Sequence, residues 1–99
     1  MRMMLKVTMP TESGNQAIKG GVLPKTMQNF MEQYKPEAAY FASLNGKRTA
    51  MFFFDLKETA AIPSVAEPFF MGLGAEIELL PVMNAEDLRV GLERAAKNF

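Results

Sequence analysis

The chain has 99 residues, and its 11 lysines and arginines balance its 11 aspartates and glutamates, so no net charge favours binding to nucleic acid or an anionic membrane. It contains neither cysteine nor histidine, which excludes disulfides, thiolate and imidazole chemistry, and the usual zinc, haem and iron–sulfur ligands. The length predicts one domain over residues 1–99, and the short apolar runs predict a cytoplasmic protein. We expect no metal and no organic cofactor.

A strand is predicted first, over residues 3–9, because apolar and polar side chains alternate along it. Pro10 ends this strand, and Ser13 offers the cap of a short helical turn that follows. A longer helix is then expected to begin near Pro24, since proline suits the first turn of a helix. Its buried stripe recurs at helical spacing and consists of Met27, Phe30, Met31 and Tyr34.

The middle of the chain predicts a β-hairpin. Asn45 and Gly46 form its turn, because a type I′ turn needs positive φ at both central positions and this dipeptide tolerates it. Strands over residues 38–44 and 50–56 flank the turn. The second strand has large apolar side chains on both faces, with Phe52 and Phe54 on one and Met51 and Phe53 on the other. Such a strand must be covered on both sides.

The last third of the chain predicts a helix, a strand and a helix. Pro63 suits a helix start, and Pro68 about one turn later removes a backbone hydrogen bond, so a short kinked helix is expected. Residues 75–83 alternate glutamates with apolar side chains and include a proline, which is typical of an edge strand. Asn84 is expected to cap the final helix.

This order of elements predicts an α+β protein, namely a ferredoxin-like βαββαβ sandwich with a C-terminal helix. Right-handed crossovers give an antiparallel sheet of order 4-1-3-2, with both main helices on one of its faces. The other face carries large apolar side chains that no remaining element can cover. A second copy of the chain is therefore the expected cover.

Three segments carry a resemblance to known proteins: G-N-Q-A-I-K-G-G-V-L-P-K-T at 14–26, I-P-S-V-A-E-P-F-F at 62–70 and P-V-M-N-A-E-D-L-R-V-G-L at 81–92. These segments resemble those of small uncharacterised bacterial members of the dimeric α+β barrel group. In that group two ferredoxin-like protomers pack sheet against sheet. Members with known roles include cofactor-independent monooxygenases, isomerases, haem-dependent enzymes and ligand-binding modules. The resemblance implies a homodimer and a fold, and it implies no particular reaction.

Four polar residues are candidates for ligand binding. Lys6, Tyr40 and Asp55 are expected to form a ligand-orienting cluster in a cleft or inside the barrel. The alternative is a Lys6–Asp55 ion pair at the strand ends that reaches solvent. Glu67 precedes a proline inside a helix, where its carboxylate could have a raised pKa and bind a ligand or a proton. The alternative for Glu67 is an ordinary exposed helix residue.

The apolar interior with few polar groups predicts a homodimer that binds or transforms a small, largely apolar molecule without metal or organic cofactor. The alternative is a non-enzymatic regulatory or assembly module in which dimerisation itself is the function. Neither nucleic acid nor a membrane is expected as a partner. Lys47 and Arg48 are interpreted as residues that keep the hairpin soluble.

Overall fold

The computed structural model describes residues 1–99 as a four-stranded antiparallel sheet with four α-helices. The strands are β1 (Arg2–Met9), β2 (Ala38–Leu44), β3 (Lys47–Asp55) and β4 (Glu76–Pro81). The helices are α1 (Thr11–Lys19), α2 (Val22–Tyr34), α3 (Ile62–Leu73) and α4 (Ala85–Ala96), with a 3₁₀ turn at Thr59–Ala61. The sheet order is β2-β3-β1-β4, which is the predicted 4-1-3-2 read from the other edge. The predicted α+β class and strand order are therefore confirmed.

The chain departs from a simple βαββαβ order between β1 and β2. Two helices, α1 and α2, connect these strands, where one helix and a short turn were expected. The predicted cap Ser13 is wrong, because α1 begins at Thr11 with Pro10 as its N-cap and no side-chain capping hydrogen bond. Instead the Gly14 backbone N–H donates to the Pro10 carbonyl oxygen at 2.8 Å. The strand thus passes into the helix without a loop.

One face of the sheet, the helix face, carries the hydrophobic core. Leu5 and Val7 of β1 and Phe52 and Phe54 of β3 point to this face and are 1% exposed or less. Helices α2 and α3 cover them mainly with Met27, Phe30, Val65, Phe69 and Leu73. The ring centroids of Phe30 and Phe52 are 4.7 Å apart. The alternation read from the sequence therefore sorts the side chains of both central strands correctly.

The predicted hairpin joins β2 to β3. Asn45 has a φ of 54° and Gly46 a φ of 76°, as a type I′ turn requires. In the resulting register Phe41 lies opposite Ala50. A slip of one residue would exchange the two faces of the strand, so this turn fixes which side chains face the helices.

Helix α3 continues through its internal proline. It runs from Ile62 to Leu73 with Pro68 inside it, so the Ser64 carbonyl lacks the hydrogen bond that a non-proline residue would donate. Gly74 ends the helix with a φ of 59°, a conformation that favours glycine. None of the helices is both long enough and apolar enough to cross a membrane.

Helix α4 extends away from the rest of the fold. The predicted Asn84 cap is confirmed: its side chain accepts from the Asp87 backbone N–H at 2.8 Å, and the Asp87 carboxylate accepts from the Asn84 backbone N–H at 3.2 Å. No residue of α4 is buried, and the helix makes almost no tertiary contacts. The molecule consequently measures 54 × 28 × 19 Å. Within one chain, the apolar side of α4 has no partner.

Candidate functional site

The sheet face opposite the helices is uncovered, and we call it the open face. Its centre is apolar, because Met4 of β1 and Met51 and Phe53 of β3 point outward and are only half-buried. Leu80 of β4 and Tyr40 of β2 flank them and are exposed. The register aligns Leu80, Met4 and Phe53 in one row across three strands. The open face therefore presents a continuous apolar strip to solvent.

The end of the open face near the hairpin is polar. A cavity of about 360 Å³ lies there, lined by Lys6, Thr8, Leu44, Asn45, Lys47, Thr49, Glu76 and Glu78. Lys6 Nζ lies 3.4 Å from Glu78 Oε2 across the β1–β4 pair. The lining thus combines cations and carboxylates, and part of its charge is already neutralised within the cavity.

Two of the predicted site residues share a region of the open face. Lys6 and Tyr40 both pair with Met51 in the sheet, one from β1 and the other from β2. Their backbones are two strand spacings apart, or roughly 10 Å. Asp55 lies at the opposite end of β3, in register with Arg2. Lys6 and Tyr40 therefore lie on the same face with one strand between them, line no common cavity, and are both separated from Asp55.

Asp55 belongs to a group of ion pairs at the end of the sheet. Its carboxylate oxygens lie 2.6 Å from Lys57 Nζ and 2.6 Å from the Met1 amino nitrogen. The hydrogen bond from Lys57, followed by that from Met1, lowers the pKa of Asp55 to about 2. The predicted Lys6–Asp55 ion pair is wrong, since Lys6 pairs with Glu78 on the neighbouring strand instead. The side chain of Asp55 is therefore a carboxylate at neutral pH.

Replacing Lys57 with methionine is expected to raise the pKa of Asp55 from about 2 toward its ordinary value of 3.8. A depressed pKa means that the stabilisation from this pair is present above about pH 4 and is lost as the pH falls toward 2. A ¹³C NMR titration of the carboxyl group measures the shift. Lys97→Met removes an amino group 40 residues further along the chain and is the control. It should leave the titration of Asp55 unchanged. An unchanged pKa in Lys57→Met would contradict the assignment.

Glu67 lies on the exposed side of α3. It lines none of the cavities of the protein. Its neighbour Pro68 does line a small cavity of about 190 Å³ between α2 and α3. A ligand-binding role for Glu67 therefore stays a prediction that no cavity supports.

A second candidate site lies on the helix face, where α2 does not reach over the edge strand β2. We call it the β2 cleft; it has a volume of about 510 Å³ and is lined by Met9, Leu23, Met27, Phe41, Ala42, Ser43, Arg48 and Thr49. Phe41 points to the helix face and is nevertheless 60% exposed, because no helix residue covers it. The volume falls within the range of roughly 300–1,000 Å³ that is usual for small-molecule sites.

Arg48 supplies the only charge in the β2 cleft. Its guanidinium lies against α1 at Gly14, where an added Cβ would be 3.0 Å from Arg48 Nη1. It forms no ion pair. The sequence analysis interpreted Arg48 as a residue that keeps the hairpin soluble, because it began β3 at residue 50. The available signal was the alternation that places Arg48 on the same face as Phe52 once the strand begins at Lys47.

Comparison with known proteins assigns no activity to this geometry. The sequence matches no protein-family model and no curated protein. The two candidate sites are therefore interpreted from their own chemistry. The open face is an apolar surface with a polar end, and the β2 cleft is an apolar cavity with one cation.

Proposed function

We propose that this protein is a homodimer that binds a small, largely apolar molecule, with the two sheets packed face to face as an α+β barrel. The observation that carries the proposal is the apolar strip of the open face, which includes Met4, Met51 and Phe53. No other element of the chain lies over this strip. Contiguous apolar surface of this kind is typical of an interaction site.

The size of the open face fits a protein interface. Its four strands have six to nine residues. With strands roughly 4.8 Å apart and a rise of about 3.3 Å per residue, the face covers roughly 400–500 Å². A 12-residue helix such as α4 adds a surface about 18 Å long and 10 Å wide. Together these areas amount to roughly 600–700 Å², which lies in the lower part of the roughly 600–1,000 Å² that each partner buries in a standard interface.

Helix α4 supports the same assembly. Leu88 and Leu92 are exposed on it, Phe99 is exposed three residues beyond its end, and none of them is buried by the chain. A helix of this length is marginal in water when nothing packs on its apolar side. In a two-fold dimer, the extended α4 of one protomer has the second protomer within reach. We therefore include α4 in the proposed interface.

The β2 cleft supports the ligand-binding part of the proposal. It lies on the helix face, so a dimer formed through the open face leaves it accessible. Its walls are mostly apolar, with Leu23, Met27 and Phe41 among them. Its one charged group is the guanidinium of Arg48, which donates hydrogen bonds and accepts none. These properties favour binding over catalysis at this cleft.

A regulatory or assembly module without a ligand is the second candidate. The feature that favours it is α4. This helix has no buried residue, which is expected of a helix that packs against another molecule, and its residues line only one cavity, on the surface of the helix itself. Ligand binding at the β2 cleft distinguishes the two candidates.

Sedimentation equilibrium tests the dimer directly. At micromolar concentration the mass should be twice the 11.0 kDa of one chain. A mass of one chain under these conditions would contradict the proposed assembly. A parallel NMR screen with small apolar compounds should shift the signals of Met27 and Phe41. A dimer without such shifts would favour the module.

A further inference from the structure

We infer that the β2 cleft selects molecules in which a single carboxylate is joined to an apolar body, and that Arg48 binds the carboxylate. The inference rests on the proposed binding of a small apolar molecule at this cleft and adds the chemical class of that molecule. Arg48 is assigned as a binding residue with no role in any reaction.

The apolar body has a defined place to lie. Leu23 and Met27 form the α2 side of the cleft, and Phe41 forms the β2 side. The Phe41 ring packs edge-on against the buried Phe52 ring, with centroids 5.9 Å apart and an interplanar angle of 84°. That contact orients Phe41, while the flexible thioether of Met27 can adjust to ligand shape.

The charge in the cleft is positive and available. Arg48 has no carboxylate partner, and no acidic side chain lines the cleft. Its planar guanidinium matches the two oxygens of a carboxylate and can donate to both. Ser43 lies opposite Arg48 in the sheet register and also lines the cleft, so its hydroxyl is a further donor.

A single cation favours a singly charged anion. The nearest other basic residue in sequence, Lys47, belongs to the opposite face of β3 and lines the polar cavity on the open face instead. A phosphate, with a second negative charge, would find no second cation among the residues that line the cleft. The cleft therefore fits a monocarboxylate better than a phosphate.

Two matched pairs of probes test the inference on the wild-type protein. Octanoate and 1-octanol share an apolar chain, as do 4-phenylbutyrate and 4-phenylbutanol, and within each pair only the acid is charged. We expect each acid to bind at least about tenfold more tightly than its alcohol, as a hydrogen bond to a charged group implies. NMR titration gives both the Kd and the location, through shifts at Met27 and Phe41.

Two variants assign the preference to one side chain. Arg48→Met keeps an unbranched apolar stem and removes the charge, so acid and alcohol should bind about equally. Lys47→Met is the matched control, because it removes the adjacent cation on the other face of the strand and should keep the wild-type preference. Lys47 and Arg48 are both exposed, so both variants should fold. Circular dichroism can verify this.

Each outcome is decisive. Equal binding of acids and alcohols by the wild type overturns the carboxylate inference and leaves the proposed apolar ligand intact. A preference that persists in Arg48→Met, or disappears in Lys47→Met, overturns the role of Arg48. Failure of all four probes to bind overturns both the inference and the proposed ligand at this cleft, while the dimer is judged separately by its mass.

Discussion

Phe53→Asp is expected to convert the proposed dimer into folded monomers. Phe53 is half-buried beside Met4 on the open face, so in a single protomer the new carboxylate can reach water. In a face-to-face dimer of the variant, the two aspartates would have to give up their hydration. The burial of two phenylalanines, worth about 1.5–3 kcal/mol each, would also be absent. The Kd of the dimer should therefore rise at least about a hundredfold. Sedimentation equilibrium over a concentration series measures it.

Met71→Asp is the matched control for this change. Met71 is 83% exposed on α3, within the helix layer and away from the open face. The same apolar-to-acidic replacement there should leave the dimer mass unchanged. If folded Phe53→Asp keeps the dimer mass, the open face is not the interface.

Phe52→Ala is expected to destabilise the fold by about 3–5 kcal/mol. Phe52 is fully buried, and its ring lies against Phe30 and Phe41 at centroid distances of 4.7 Å and 5.9 Å. Such a loss is a large part of the roughly 5–15 kcal/mol that stabilises a small domain. Urea denaturation measures the change. The protein concentration must be held constant, because formation of the proposed dimer would add to the apparent stability.

Phe41→Ala provides the comparison within the same sheet. Phe41 is mostly exposed, so its replacement should lower the free energy of unfolding by about 1 kcal/mol or less. The difference between the two variants tests which phenylalanines form the core. Equal losses in Phe41→Ala and Phe52→Ala would contradict the placement of Phe52 between the sheet and α2.

The sheet could be predicted because its signals are local and agree with one another. Alternation in β1 and β3 identified the two central strands, and Asn45 with Gly46 fixed the register of the hairpin. The start of α1 could not be predicted in the same way. Its cap is Pro10, which leaves no side-chain hydrogen bond and hence no capping residue to recognise in the sequence.

The candidate site was only partly accessible from the sequence. Alternation indicates the face of a strand on which a side chain lies, and Lys6 and Tyr40 do lie on the same face of the sheet, with Met51 between them. The partners of a charged side chain depend on rotamers and on neighbouring strands. Lys6 therefore contacts Glu78, which is distant in sequence. The β2 cleft arises where α2 does not extend over the edge strand β2. This is a feature of tertiary packing and leaves no pattern in the local sequence.

Together with the proposed dimer, the extended α4 predicts a link between the lifetime of this protein and its abundance. Because the 12-residue helix makes almost no tertiary contacts, it is expected to open readily in a lone protomer, and its amides should exchange with solvent at little free-energy cost. Open segments of this kind are where proteases cleave, at a rate set by the population of the open form. In the proposed dimer, pairing of two protomers is expected to protect the segment. The proposal therefore predicts that unpaired chains are cleaved faster than paired ones.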